Sequence, residues 1–339
     1  MRLVFLFLFF FHAIGFGQFV NLNESDFSKA DSIAFSHKGQ SLKNLPVLTY
    51  ELTNDLTTDV EKFRAIFTWA CTNIENDYQS YLKTRKKRKK IQKDRAGFLE
   101  WNESFTPKVF EKLVTEKRTA CTGYAYLIKE MANLAGFESE IVNGYGRTPT
   151  LLLSENDPPN HSWNTVKLDG QWYLCDATWS AGRIMLDDSG PRFEPDYDDV
   201  YFLPNPELFA KNHYPMEQKL SLLEELPTLT DFIEAPVIYK ASFRFGIAPI
   251  LPEKMHLKVL RDANTSFELK IPEGLDVKKF RLALNNGGKD VEVEPKINLL
   301  EEPRKICVEY AFNRTGLYDV HIKYDNHLIT SYVVRVRKN

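Results

Sequence analysis

The chain has 339 residues, 43% of them hydrophobic and 13% aromatic, enough for packed cores and for two domains of ordinary size. Its 44 basic and 46 acidic side chains give a formal charge of −2, which excludes a global attraction to nucleic acid or anionic membrane. Four cysteines (Cys71, Cys121, Cys175 and Cys307) show no CxxC spacing and there is no HExxH, so neither a metal nor a cofactor is expected.

In chain order, Met1-Arg2 and the apolar run to Gly17 read as a basic n-region and h-region ending in small residues. That is a secretory signal over residues 1–17, cut near Gly17–Gln18, with a retained anchor as the alternative. Export to the periplasm, cell surface or medium follows, with no stable membrane span after cleavage. Residues 18 to about 58 are a lead-in segment. Thr58-Asp-Val-Glu61 then forms a capping box for a helix that buries Val60, Phe63, Phe67, Ala70 and Ile74. Trp69 and Tyr78 are read as core residues, with lining of a cleft as the alternative. Lys83 to Lys93 is a dense basic run, expected as a solvated, mobile insertion between two helices. A hold on an anionic polymer or on lipid headgroups is its functional alternative. Phe105 to Val114 is expected as a short helix with Pro107 in its first turn.

The stretch RTACTGYAYLIKEMANLAG, from Arg118 to Gly136, reads as a helix burying Tyr124, Leu127, Ile128, Met131 and Ala135. Thr119 stands where a cap would, and Gly136 where a left-handed residue ends a helix. Cys121 therefore sits at a helix N-terminus, where unpaired amides and the macrodipole favour a thiolate. A small buried hydrophobe is the alternative reading of a free cysteine. Glu138 to Gly146 is a strand, and the following loop is one wall of a cleft. In NHSWNTVKLDGQWYLCDATWSAG, Asp169-Gly170 marks a hairpin turn, so Leu168 opposes Gln171 and Trp163 opposes Asp176. His161 and Asp176 are then diagonal neighbours on one face. Cys175 points the other way, which makes a Cys71–Cys175 disulfide conceivable, although unpaired buried thiols are the reading preferred.

A cysteine on a helix beside a His–Asp hairpin is the arrangement thiol catalysis needs: a nucleophile, a base, and a carboxylate that orients the base. The three motifs resemble those of the transglutaminase-like superfamily, the papain-related group with Cys, His and Asp in this chain order. Arg118-Thr-Ala-Cys121-Thr-Gly-Tyr-Ala resembles its cysteine motif, with Thr119 where the family often has Gly. Asn160-His-Ser-Trp-Asn164 resembles its histidine motif and Asp176-Ala-Thr-Trp179 its aspartate motif, and EKFRAIFTWACTNIENDY resembles the helix before its core. The resemblance implies Cys121 as nucleophile, His161 as general base and acid, and Asp176 as orienting carboxylate. It further implies a protein or peptide substrate attacked at a peptide or glutamine amide through a thioester. Similarity of residues 201–236 to the kyphoscoliosis peptidase branch favours hydrolysis. Protein cross-linking is the alternative, and a non-catalytic envelope module is the alternative of another class.

From Arg183 to Val200 the chain is acidic, expected as a solvated loop, with calcium as the functional alternative although EF-hand spacing is missing. His213 is read as structural. Beyond Pro236 the pattern alternates: Phe267 to Ile271, Phe280 to Leu284, Ile306 to Tyr310, Val320 to Tyr324 and Ser331 to Val336 are strands. Asn285-Asn-Gly-Gly and Asp325-Asn326 mark turns, and Gly316-Leu-Tyr318 is similar to a tyrosine corner. The expected architecture is α+β: a papain/transglutaminase-like catalytic domain over residues 18–236, with its core at about 58–182, then an immunoglobulin-like β-sandwich over 237–339.

Overall fold

The computed structural model describes residues 26–338 apart from 92, 150, 152, 189, 302 and 303; the N-terminal segment read as a secretory signal lies outside the described residues. No described helix is long and apolar enough to cross a membrane.

Two short helices, α1 (Ser28–Ser36) and α2 (Leu45–Thr53), pack on the central α3 (Asp59–Asn73). The Thr58 side chain accepts from the Glu61 N–H while Glu61 accepts from the Thr58 N–H, the reciprocal cap read from the sequence. Phe63, Ile66, Phe67, Trp69 and Ala70 of α3 are fully buried, each large side chain contributing about 1.5–3 kcal/mol of burial. Trp69 is thus a core residue, its indole N–H donating to the His37 carbonyl. Arg64 is buried beneath this layer, bonded to both oxygens of Asp31 (2.7 and 2.8 Å) and to Asp199 (2.9 Å). Arg64 thus fastens α1 and the segment carrying Asp199 to α3.

After β1 (Glu75–Asn76) the chain forms α4 (Tyr78–Ile91) and α5 (Arg95–Glu116). The basic run expected as a mobile insertion lies in α4: an unbroken stretch without Gly or Pro satisfies its backbone as a helix. Pro107 lies inside α5 rather than in a first turn; the helix begins ten residues earlier than expected, at an Asp94 cap whose carboxylate accepts from the Gly97 N–H. The short β2 (Arg118–Thr119) pairs in parallel with β1 and leads into α6 (Cys121–Leu134). Thr119 does not cap α6, because that ladder holds its backbone and Ala120 takes the N-cap position. The Thr119 hydroxyl instead fills the space a Cβ on Gly123 would need, 1.8 Å from that position. The far end of α6 closes on Gly136 (φ +90°), with Phe137 N–H bonded to the Ala132 carbonyl.

β3 (Ser139–Gly146), β4 (His161–Leu168) and β5 (Gln171–Cys175) follow, then α7 (Ala177–Ala181), β6 (Gly182–Asp187) and β7 (Gly190–Pro195). The β4–β5 register runs from Leu168 opposite Gln171 to Asn164 opposite Cys175, as the Asp169-Gly170 turn requires; both turn residues have positive φ. The acidic stretch expected as a loop is largely the β6–β7 hairpin, where Arg183 and Arg192 pair with Glu194, Asp196 and Asp187. Then come α8 (Pro206–Phe209), β8 (His213–Pro215) and α9 (Leu229–Glu234), and the sheet of this part has the order β5-β4-β3-β8, with α6 against β3 and β4.

The rest is β-rich: β9 (Val237–Ile238), α10 (Lys240–Phe245), β10 (Ala248–Leu251), β11 (His256–Leu260), β12 (Asn264–Lys270), β13 (Phe280–Asn285), β14 (Val291–Val293), β15 (Lys296–Glu301), β16 (Arg304–Ala311), β17 (Gly316–Tyr324) and β18 (His327–Arg337). One sheet has the order β10-β12-β16-β15; the other is β11-β18-β17-β13-β14, with β9 also on β18. Alternate residues face inward, so Phe267, Leu269, Ile306 and Val308 meet Leu282, Val320, Ile322, Tyr332 and Val334 in one core. The Tyr318 hydroxyl donates to the Arg314 carbonyl at 3.1 Å, the bond of a tyrosine corner. The fold is a mixed α+β body followed by a β-sandwich, and all four cysteines are free thiols.

Candidate active site

Three elements bring Cys121, His161 and Asp176 together. Cys121 is the first residue of α6, His161 the first of β4, and Asp176 the residue that ends β5 and caps α7. The Asn164 side chain ties β4 to α6 by donating to the Ala125 carbonyl at 2.9 Å. Asn160 clamps the strand above: its carboxamide accepts from the Gly146 N–H (2.7 Å) and donates to the Gly146 carbonyl (2.9 Å). Gly146 carries no Cβ because one would stand 3.0 Å from the His161 ring and from Trp179.

The Asp176 carboxylate is buried and fully engaged. Its Oδ1 accepts from the N–H groups of Thr178 (2.8 Å) and Trp179 (3.1 Å), the first turn of α7. Its Oδ2 meets His161 Nε2 at 2.7 Å and His213 Nε2 at 3.0 Å. With Nε2 so engaged, Nδ1 is the ring nitrogen left to exchange a proton with a thiol. Trp179 stacks on the His161 ring at 5.1 Å and holds its plane. His213, expected as a structural residue, is buried as one, and it is also the second imidazole on Asp176. That role escapes sequence reasoning because His213 arrives on β8, which reaches the site by pairing with β3 from a distant part of the chain.

The electrostatics favour the charged forms of both the thiol and the imidazole. Burial alone would push the Cys121 thiol up; the hydrogen bond with His161, the charges of His161 and Arg88 and the Ser162 amide outweigh it, and the pKa falls below the ordinary thiol value. Burial would likewise lower His161, but the Asp176 charge and hydrogen bond and the Cys121 thiolate raise it to about 10. Asp176, despite burial, is held well below the usual carboxylate range by the two histidines. His213 is pulled down to about 4, chiefly by burial, and stays neutral. Cys71 and Cys175 are pushed far up by burial, so neither supplies a thiolate. His161, Asp176 and His213 present ligand atoms within 4.8 Å of one another, the spacing of a metal site. They satisfy one another by hydrogen bonds, and we read them as a bonded set.

Cys121 and His161 open into a cavity of about 600 Å³. Tyr78, Tyr81 and Arg85 of α4 form one side of it, and Ile238, Tyr239 and Lys240, on the sandwich side, form another. Tyr78 therefore lines the cleft, against the core reading made from the sequence.

Residues 47–177 match the family model of the transglutaminase-like superfamily. Kyphoscoliosis peptidase of Homo sapiens is 32% identical over 252 residues, covering 73% of this chain and 34% of that protein. Hillarin of Drosophila melanogaster is 24% identical over 234 residues, covering 66% of this chain and 26% of that protein. The chain thus spans about a third of the length of the human and mouse kyphoscoliosis peptidases. Among solved structures, a crystal structure of a TGase has 14% identity and a TM-score of 0.28, covering 54% of this chain and 39% of that one; no argument is drawn from that score.

Proposed function

From the premise that this chain carries a domain of the transglutaminase-like superfamily, we propose that it is an exported thiol enzyme that opens peptide or glutamine amide bonds through a Cys121 thioester, with water as the acyl acceptor. The observation that carries this reading is His161 set between a thiol of lowered pKa and a buried carboxylate 2.7 Å from its Nε2. The Cys121 thiolate attacks the carbonyl carbon, and the oxygen takes up negative charge. The Cys121 N–H, free of an intrahelical acceptor as the first amide of α6, stabilises that oxyanion. His161 Nδ1 gives its proton to the leaving nitrogen, the C–N bond breaks, and the amine departs. The now neutral Nδ1 takes a proton from water as it attacks the thioester, and the acid leaves while the thiolate–imidazolium pair is restored. Asp176 keeps the ring oriented and its charge balanced throughout. The peptidase name of the human and mouse relatives favours water over an amine as acceptor. Met1-Arg2 and the apolar run behind them support export.

The test is mass spectrometry of peptide substrates incubated with the protein, with and without an added primary amine, beside Cys121→Ala. Hydrolysed products dependent on Cys121 are expected. Amine adducts outnumbering them would make the protein a cross-linker. Absence of turnover, with Cys121 alkylated no faster than a denatured cysteine, would make it a binding module.

A further inference from the structure

Helix α4 is basic all along its length, but its two kinds of cation point in different directions. Lys83, Lys86, Lys87, Lys89 and Lys90 are exposed. Tyr81, Thr84, Arg85 and Arg88, spaced three and four apart, form the half-buried face turned to the cleft. Arg85 lines the main cavity with Cys121, and Arg85 and Arg88 both line a smaller recess against Cys121, Pro158 and Asn160. The helix is held there by Lys89, which pairs with Asp157 at 3.3 Å.

Among the described residues, the lining of the main cavity contains Arg85, Arg147, Arg183 and Lys240 but neither Asp nor Glu, in a chain whose acids outnumber its bases. Two of these cations are already committed: Arg147 donates to the Phe232 and Ala235 carbonyls, and Arg183 pairs with Glu194 at 2.6 Å. Lys240 lies 3.8 Å from Asp198, a carboxylate it shares with Arg244, and its Nζ makes no hydrogen bond. Among the described residues, no carboxylate pairs with Arg85 or Arg88, and the Arg88 Nε is buried without a hydrogen-bond partner. Both guanidinium groups stand beside the nucleophile with no carboxylate of the described residues on them, so a carboxylate from outside the chain would meet unspent donors there.

We propose that Arg85 and Arg88 form a specificity subsite that binds the carboxylate of an Asp or Glu residue flanking the amide under attack, so that the enzyme's substrates are acidic peptides. This rests on the thiol-enzyme reading for the reaction but not for the binding. The planar guanidinium donors match a carboxylate two bonds at a time, which a lysine ammonium does not. Arg85 opens onto the main cavity, which has room for a substrate side chain, whereas a flat anionic surface would meet the exposed lysines instead.

Binding of peptides to Cys121→Ala tests this without turnover, using a panel with Glu, Gln or Lys at each position flanking a fixed central amide. Glu peptides are expected to bind roughly tenfold tighter than their Gln counterparts, with the gap closing as salt is raised. Arg85→Gln with Arg88→Gln should erase the gap, whereas Lys86→Gln with Lys87→Gln should leave it. Arg85→Glu with Arg88→Glu should shift the preference to Lys peptides, which a merely misfolded variant would not do. Equal affinity for Glu and Gln peptides, or a gap unchanged in the double Gln variant, overturns the proposal. So does arginine-dependent binding to vesicles of equal phosphatidylcholine and phosphatidylglycerol without any Glu preference, which would make the subsite a membrane contact. If the native protein cleaves nothing while Cys121→Ala retains the Glu preference, the thiol-enzyme reading fails and the subsite stands.

Discussion

On the cleft side of Asp176, His161 meets Oδ2 at 2.7 Å and is held as an imidazolium up to about pH 10; on the core side, His213 meets the same oxygen at 3.0 Å and is held neutral down to about pH 4. Nearness to one carboxylate therefore does not fix the charge of an imidazole; the second neighbour decides. The second neighbour of His161 is the Cys121 thiol, whose hydrogen bond and charged form raise the imidazole. His213 is stacked on Phe209 at 3.7 Å, walled by Trp163, Trp179 and Tyr201, and repelled by the charge on His161. One histidine faces the cleft with its charged form favoured, and the other is a neutral buried partner of the acid.

The sharpest way to break that contrast is to remove the cleft-side ring. His161→Ala should lower kcat/KM by about 10³-fold or more, because proton transfer and thiolate formation fail together. The Cys121 pKa, read from the pH dependence of alkylation by iodoacetamide, should rise past the ordinary thiol value of about 8.5, since burial is then unopposed. An unchanged alkylation profile would show that the ring does not govern the thiol.

The next largest effect belongs to Asp176→Asn, which keeps a good helix cap but removes the charge. A fall in kcat of about 10²–10⁴-fold is expected with the fold intact. The stability linkage gives a second readout. His161 has a folded pKa of about 10 against about 6.5 unfolded, so its contribution is complete below pH 6.5 and lost as pH rises through 10. Thermal unfolding between pH 6.5 and 10 should show this loss in the native protein and much less of it in Asp176→Asn.

The smallest effect is expected on the core side. His213→Phe leaves an Asp176 lone pair unanswered, at about 1–3 kcal/mol of stability near neutral pH. Its kcat/KM should fall by about tenfold or less, because the proton path through His161 remains. The pH trend has the opposite sign to the first. A histidine lowered to about 4 contributes fully above pH 6.5 and loses that contribution as pH falls through 4, so the variant should lose less of its melting temperature than the native protein over that window. If His213→Phe silenced the protein as completely as His161→Ala, the assignment of roles to the two sides would be wrong.

How much of this was legible in the chain depends on how local each feature is. The Asp169-Gly170 turn sets a period-two register over the few residues to Cys175, so the meeting of His161 and Asp176 follows from adjacent sequence. The start of α6 and its Gly136 stop are local in the same sense, although the cap passed from Thr119 to Ala120 because β2 needed Thr119. His213 is the opposite case: its place depends on β8 finding β3, a pairing that no spacing announces. In the Lys83–Lys93 run, charge on every side of the helix hid the distinction between arginines facing in and lysines facing out. Only the packing of α4 over the cleft separates them. Strands β12, β13, β16, β17 and β18 were readable because alternation repeats in each, whereas β10, β14, β15 and the edge strand β11, which pairs in parallel with β18, were not.

One stitch between the halves carries a consequence of its own. Val237 and Ile238 pair with Ser331 and Thr330 of β18, and the Tyr239 hydroxyl meets Ser331 at 2.9 Å, so the residues that close one flank of the cleft are sewn to the last strand of the protein. Proteolytic clipping between the halves would accordingly not liberate an intact pocket. The sulfur, ring and acid would all remain on the leading piece, but the trough beside them would be left gaping to bulk water.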